Sequence, residues 1–413
     1  MRLTRPGWER AGLGRMARAL MALCVGTAIY AAGCGRAPAA PAAPPTTLPD
    51  PSTLPFLPAI PAWTVDLPAP VTVSLSPDGH TVAGSAPTGP WAFNAQGVRL
   101  PLAGLRGSAV WALPVGRIAV GPGAADPEEP VSVVDAQGKI LWSAPAVGPV
   151  VAAGNKSGSR IVVADDGAGT VTELAMGADG ALGQVSLGRG SSVEIAGNGD
   201  ALVYSATHVA LYSAQGRARW TQALNVDAPP RTFALDAGAT GVTVATTGRD
   251  HRLYQFSLAR AGTKPTPAWS ASLPPDGSNW VSSGPGGRVA VWGIGGTATL
   301  AVYRQSDGMR LWQDTVPDGP GQQNPSLSGL SFTNDGGVVV ALTGCVASGA
   351  PCLLILSPQG APLGVMPMPL GSRVEVASDG AAAAAVSAAG TAVDTLAWYP
   401  LVGVVAAAAA AAA

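Results

Sequence analysis

The chain's imidazoles are His80, His208 and His251. Imidazole changes charge near neutral pH, so each is a candidate general base or metal ligand. Asp250 precedes His251, but adjacent residues on a strand point to opposite faces, which argues against a base and its orienting carboxylate. His80 stands in a turn where related turns of this chain carry Lys or Arg, and it reads as a solvated turn residue. His208 opens an apolar run. Asp165-Asp166 and Glu128-Glu129 pair carboxylates in polar connections. Calcium needs several oxygens converging from one loop, and neither place has the spaced Asp/Asn series ending in Glu. The sequence has no Gly-x-Ser-x-Gly elbow, no phosphate-cradling Gly-x-x-x-x-Gly-Lys and no His-Glu-x-x-His. No catalytic, metal-binding or cofactor-binding residue is assigned, and no cofactor is expected.

Cysteine leaves two readings open. Cys345 and Cys352 flank Val-Ala-Ser-Gly-Ala-Pro between two apolar runs. They suit a disulfide stapling a hairpin loop, worth roughly 2.5 kcal/mol in the chain-entropy model, or a pair of free thiols. With no neighbouring His or further Cys they make a poor metal site.

The elements around these residues come from a recurring turn phrase. It reads Ser-Pro-Asp-Gly-His at 76–80, Asp-Ala-Gln-Gly-Lys at 135–139, Ser-Ala-Gln-Gly-Arg at 213–217, Asn-Asp-Gly-Gly at 334–337, Ser-Pro-Gln-Gly at 357–360 and Ser-Asp-Gly-Ala at 378–381. Glycine after a short polar residue supplies the positive φ of a tight hairpin, so each copy joins two strands. One kind of copy lies between two plain apolar strands. The other ends in tryptophan, as in Val133–Trp142, Leu211–Trp220 and Tyr303–Trp312. One of each makes a four-stranded unit the length of a propeller blade.

The fold class read from this pattern is all-β, a β-propeller of four-stranded antiparallel blades. Eight units fall near 70–103, 108–143, 149–188, 191–222, 231–272, 279–315, 327–368 and 373–398; seven would remain if the weak third unit were irregular. The last unit has three strands of its own. Its outer strand is expected from residues 62–67, whose Trp63 stands where Trp142, Trp220, Trp269 and Trp312 stand in other units. Such closure removes exposed edges.

Composition agrees. Of 413 residues 12% are charged and 47% hydrophobic, with 54 Gly and 38 Pro, as in a turn-dense β protein with a substantial core. Residues 1–33 hold five Arg and one Glu, so the remainder carries 24 − 5 = 19 positive and 25 − 1 = 24 negative charges, a net of −5. A mildly acidic surface repels phosphate backbones, which excludes a nucleic-acid partner.

At the N-terminus five arginines precede an apolar stretch at 19–32 that ends in Ala31-Ala32-Gly33-Cys34. A basic region, a short apolar region and small residues are the marks of a secretory signal. With cysteine directly after them, the segment resembles a bacterial lipoprotein signal, although Ala31 stands where that family usually has Leu. The resemblance implies lipidation of Cys34, a membrane anchor and an extracytoplasmic location. The organisation is read as a signal at 1–33, a Pro/Ala-rich tether at 34–61, the propeller at 62–400 and an Ala-rich tail at 401–413. The stretch from Thr395 to Ala413 has no charge, but Pro400 interrupts it. It is read as a strand plus a low-complexity tail.

The Trp-ending copies resemble the repeat of pyrroloquinoline-quinone-like propellers, whose tryptophans dock neighbouring blades. Leu75–Ala83 resembles the repeat of TolB-type periplasmic propellers. In anchor, blade type and blade number the chain is similar to the lipoprotein propeller of outer-membrane barrel assembly, with no partner-binding motif to match residue by residue. The resemblance implies a monomeric scaffold that binds an envelope protein or peptide. It also admits a quinone-dependent or polymer-acting enzyme, or a ligand sensor. The quinoprotein dehydrogenases typically carry adjacent cysteines, which this chain lacks.

Overall fold

The computed structural model describes residues 46–102, 104–123, 129–177, 182–196, 198–204, 208–223, 232–235, 241–245, 252–257, 267–273, 280–295, 297–316, 326–344, 349–388 and 392–412. Within them the strands form eight antiparallel sheets that succeed one another along the chain, the blades of a β-propeller. Their first, axial strands are Ser74–Leu75, Ala109–Ala112, Val150–Gly154, Ser192–Ile195, Thr232–Leu235, Trp280–Gly284, Ser326–Phe332 and Arg373–Val376. Six blades take four consecutive strands each. The first blade has three, and the fourth place is held by one bridge from Phe93 to Arg99 and by the Leu100 N–H bonding the Ala92 carbonyl. The eighth takes its outer strand from Trp63–Pro68, which pairs antiparallel with Val393–Pro400, Trp63 opposite Trp398. The eight-unit reading and the closing strand both hold, and the third unit is a regular four-stranded blade.

Closure is visible in the core as well. The buried apolar residues fall into eight clusters, one at each joint between successive blades. In blade 7, Val338, Val340 and Leu342 face blade 6, whereas Val339 and Ala341 face blade 8. A blade is therefore apolar on both faces, and its middle strands read as unbroken Val/Ala/Leu runs where a half-solvated sheet would alternate.

Two segments depart from expectation. Part of the 34–61 tether is packed rather than free. Thr46–Thr47 adds a parallel fifth strand to blade 6 beside Asp314 and Thr315. Phe56 then bridges Val365 on blade 7, and Leu48 and Leu54 are buried in the joint between blades 6 and 7. Leucines set among the prolines give this strap an apolar side, and burying each one favours docking over free extension. The low-complexity, Ala-rich tail, for which no secondary structure was expected, forms a helix, Val402–Ala412. Alanine has the best helix propensity of all residues. Leu401 and Val405 anchor it in the joint between blades 7 and 8, together with Leu57 and Ala59 of the strap. Among the described residues no helix is long and apolar enough to cross a membrane.

Candidate binding site at the axis

Antiparallel connection sends the turns after the first and third strands of every blade to one face of the ring, so the repeated glycine turns share that face. Among the described residues thirteen of these turn glycines have positive φ: Gly79, Gly116, Gly158, Gly199, Gly286, Gly287, Gly336 and Gly380 after first strands, Gly97, Gly138, Gly216, Gly308 and Gly360 after third strands. In four blades the residue five places before the glycine of a first-strand turn reaches the following blade. Ser74 Oγ accepts the Ala112 N–H at 3.2 Å. Trp111 Nε1 donates to the Val150 carbonyl at 2.8 Å. Glu194 Oε2 accepts the Leu235 N–H at 3.0 Å, and Ser331 Oγ donates to the Ala377 carbonyl at 2.7 Å. These four side chains latch blade 1 to 2, 2 to 3, 4 to 5 and 7 to 8.

Glu375 occupies the same repeat position in blade 8, four blades from Glu194 and so on the opposite side of the ring. It makes no hydrogen bond to a described residue. Burial pushes the Glu194 carboxyl up to about 7, against the opposing pull of the Leu235 N–H. Glu375 keeps an open surface to solvent, yet crowding by the surrounding blades pushes it up to about 7 as well. Tyr204, bonded to Ser192, is pushed up to about 12, first by burial and then by the neighbouring Glu194 charge.

At the glycine-turn face the axis opens into a cavity of about 540 Å³. Its walls are largely apolar, with Ile195, Leu235, Val281 and Phe332, and Glu194 lies among them. The mouth is polar. Lys156 of blade 3 pairs with Asp379 of blade 8 at 3.8 Å, reaching past blades 1 and 2, and Asn334 lies on the same rim. Beside it, the turn Pro114–Gly116 of blade 2 holds Val115 at φ 58°, the one non-glycine residue with positive φ among those described. Asp78 of blade 1 accepts the Val115 N–H at 3.2 Å and helps hold the strained turn. Val115 is thereby presented to solvent, 52% exposed. The arrangement is suited to receiving an aliphatic group in the funnel with a polar or charged group at its mouth.

The residues singled out in the sequence are not brought together here. His80 is an exposed turn residue, and His208 opens the third strand of blade 4. Asp165 is buried as a structural acceptor for the Val147 and Ala168 N–H groups, and Asp166 is exposed. Glu129 is part-buried. Cys352 is buried and disulfide-bonded. Cys34, Glu128, Asp250, His251 and Cys345 lie outside the described residues. Among the described residues no group of three or more His, Cys, Asp or Glu is placed to hold a metal. The axial glutamates escaped the sequence reading. Their signal is Val-Glu-Ile-Ala at 193–196 and Val-Glu-Val-Ala at 374–377, a carboxylate flanked by apolar residues in a first strand.

No family model matches the chain, and no curated protein matches it in sequence. Among solved structures it is similar to the Dos1 propeller, with a TM-score of 0.56 and 12% identity, covering 82% of this chain and 94% of that one. It is also similar to KlHsv2 with loop 6CD replaced by a Gly-Ser linker, with a TM-score of 0.50 and 13% identity, covering 72% of this chain and 97% of that one. At these identities the likeness shows the fold alone.

Proposed function

We propose that the chain is a lipid-anchored propeller of a bacterial cell envelope that acts as a binding scaffold, receiving a segment of another envelope protein or peptide at the axial funnel. The single observation that carries the binding role is the funnel, an apolar cavity of about 540 Å³ rimmed by Lys156, Asn334 and Asp379 on an otherwise repetitive face. The latches and turn glycines around it are explained by packing. The rim side chains differ from blade to blade, as a surface that recognises one partner requires. The anchor rests on the five arginines, the apolar stretch and Ala-Ala-Gly-Cys34, read as a signal resembling that of bacterial lipoproteins.

The reading is tested in cells that make the full chain with a photo-crosslinking residue at Asn334 or, on the opposite face, at Val147. Capture of one defined envelope protein from position 334 and not from 147 supports it. Equal capture at both positions, or none above a Cys34→Ser control, overturns it. A purified sample carrying bound quinone absorbance would favour an enzyme instead.

A further inference from the structure

Of the five most exposed large hydrophobic residues among those described, three belong to the two terminal segments that meet on the outer rim of blades 7 and 8. Ile60 is 74% exposed, and Phe56 and Val402 are each 62% exposed. Each adjoins residues packed in the joint between those blades: Phe56 precedes Leu57, Ile60 follows Ala59, and Val402 follows Leu401. Leu370, 69% exposed, lies in the connection from blade 7 to blade 8. The helix Val402–Ala412 has no polar side chain on any side, and Val402, Gly403, Ala406, Ala407 and Ala410 are open to solvent. A short helix without a polar face is ordinarily covered.

We infer that this rim rests on the surface of a lipid bilayer. The length of chain before the strap argues for that occupant. Eleven residues, 35–45, separate Cys34 from Thr46, where the strap joins the outer edge of blade 6. Fully extended they span at most about 40 Å. An acylated Cys34 therefore keeps the strap side of the ring close to the membrane, and the strap and helix put the exposed apolar residues on that side. Asp50 is the only charged residue of 46–61 and the helix has none, so the contact is apolar and indifferent to headgroup charge. With its rim on the membrane, the ring leaves both faces and the funnel open to partners. The inference rests on the lipid-anchored reading of Cys34.

The test uses the full lipidated chain in phosphatidylcholine vesicles. Single cysteines introduced by Ile60→Cys, Val402→Cys and Val185→Cys are labelled, without reductant, with an environment-sensitive fluorophore. Val185 is exposed on the outer strand of blade 3, four blades from blade 7. Lipids carrying a nitroxide near the headgroup should quench the probes at 60 and 402 about twofold or more, as expected for groups 5–10 Å into the interface, and leave 185 unquenched. Adding anionic lipid or salt should not change this. Equal quenching at all three sites, or none at 60 and 402, overturns the inference. So would probes at 60 and 402 that are shielded from water but insensitive to the nitroxide, since a second copy or another protein would then cover the rim. The mass of the Cys34 peptide and the release of a Cys34→Ser variant report separately on the anchor. An acylated, membrane-bound protein with unquenched rim probes defeats the rim contact alone, whereas an unacylated Cys34 defeats both.

Discussion

The Glu194 carboxylate accepts the Leu235 N–H at 3.0 Å, joining the axial strand of blade 4 to that of blade 5. A serine or tryptophan at this repeat position latches its joint with a neutral group, whereas Glu194 brings a charge into a part-buried, crowded place. Burial sets its titration near 7, above the ordinary 4.5. The folded state thus holds a proton that the unfolded chain gives up between about pH 4.5 and 7, so this group lowers stability as pH rises through that window.

Stability should therefore be greater at pH 5 than at pH 8, with Glu194 contributing at most about 3 kcal/mol of the difference. Glu194→Gln keeps an acceptor for the Leu235 N–H and removes the charge. It should raise the melting temperature at pH 8 by a few degrees and leave it unchanged at pH 5. Glu375→Gln should act in the same direction, and thermal melts across pH 5–8.5 measure both. A variant that melts alike with wild type at pH 8 would mean that Glu194 is well solvated after all.

The blade count was legible because turn glycines and outer-strand tryptophans obey local rules that survive without tertiary context: positive φ after a short polar residue, and a large ring at a fixed offset. The closing strand Trp63–Pro68 was legible because blade 8 lacked an outer strand. The strap was not. Leu48 and Leu54 among prolines look like any spacer until the edges of blades 6 and 7 are placed beside them. The latch position was also hidden, since serine at 74 and 331, tryptophan at 111 and glutamate at 194 form no common residue pattern. What they share is a distance of five residues from a turn glycine and a neighbour's backbone to meet.

Trp269 and Trp312 show why the turns after third strands hold glycine. Gly308 has φ 72°, and a Cβ there would lie 2.5 Å from the Trp269 ring, whose Nε1 donates to the Gln305 carbonyl of the same turn. Gly360 stands likewise under Trp312, with φ 89° and a 2.8 Å approach. Gly308→Ala should cost about 2–4 kcal/mol, the sum of left-handed strain and displacement of the indole. In a Trp269→Ala background the same change should cost only about 1–2 kcal/mol, the backbone part. Gly371→Ala, at φ 72° with nothing within 4 Å, should match that smaller value. Urea denaturation of the four variants completes the comparison, and equal costs for Gly308→Ala in both backgrounds would rule out the tryptophan contact.

Leu48 and Leu54, 5% and 8% exposed, distinguish a docked strap from a free tether. Leu54→Ala should destabilise the ring by about 2–3 kcal/mol, as for a buried leucine whose surroundings collapse in part. Phe56→Ala, exposed and close by, should cost less than about 1 kcal/mol. Limited proteolysis gives a second readout, with cleavage between 48 and 57 faster in Leu54→Ala than in wild type. A strap that contributes nothing would show identical melting and cleavage.

Lys156 and Asp379 meet at 3.8 Å across the funnel mouth, with the lysine side chain 65% exposed. A pair so open to water contributes less than about 1 kcal/mol, so its value to the fold is small. Lys156→Glu places two carboxylates at the mouth and should leave the melting temperature within a degree or two of wild type. If the funnel receives a partner segment, the same change should reduce crosslinking from Asn334 several-fold, and Lys156→Arg, which keeps the charge, should retain most of it. Loss of capture in both variants would point to shape rather than charge at the rim. Full capture by Lys156→Glu would remove the rim pair from recognition and shift attention to the apolar wall at Ile195, Val281 and Phe332.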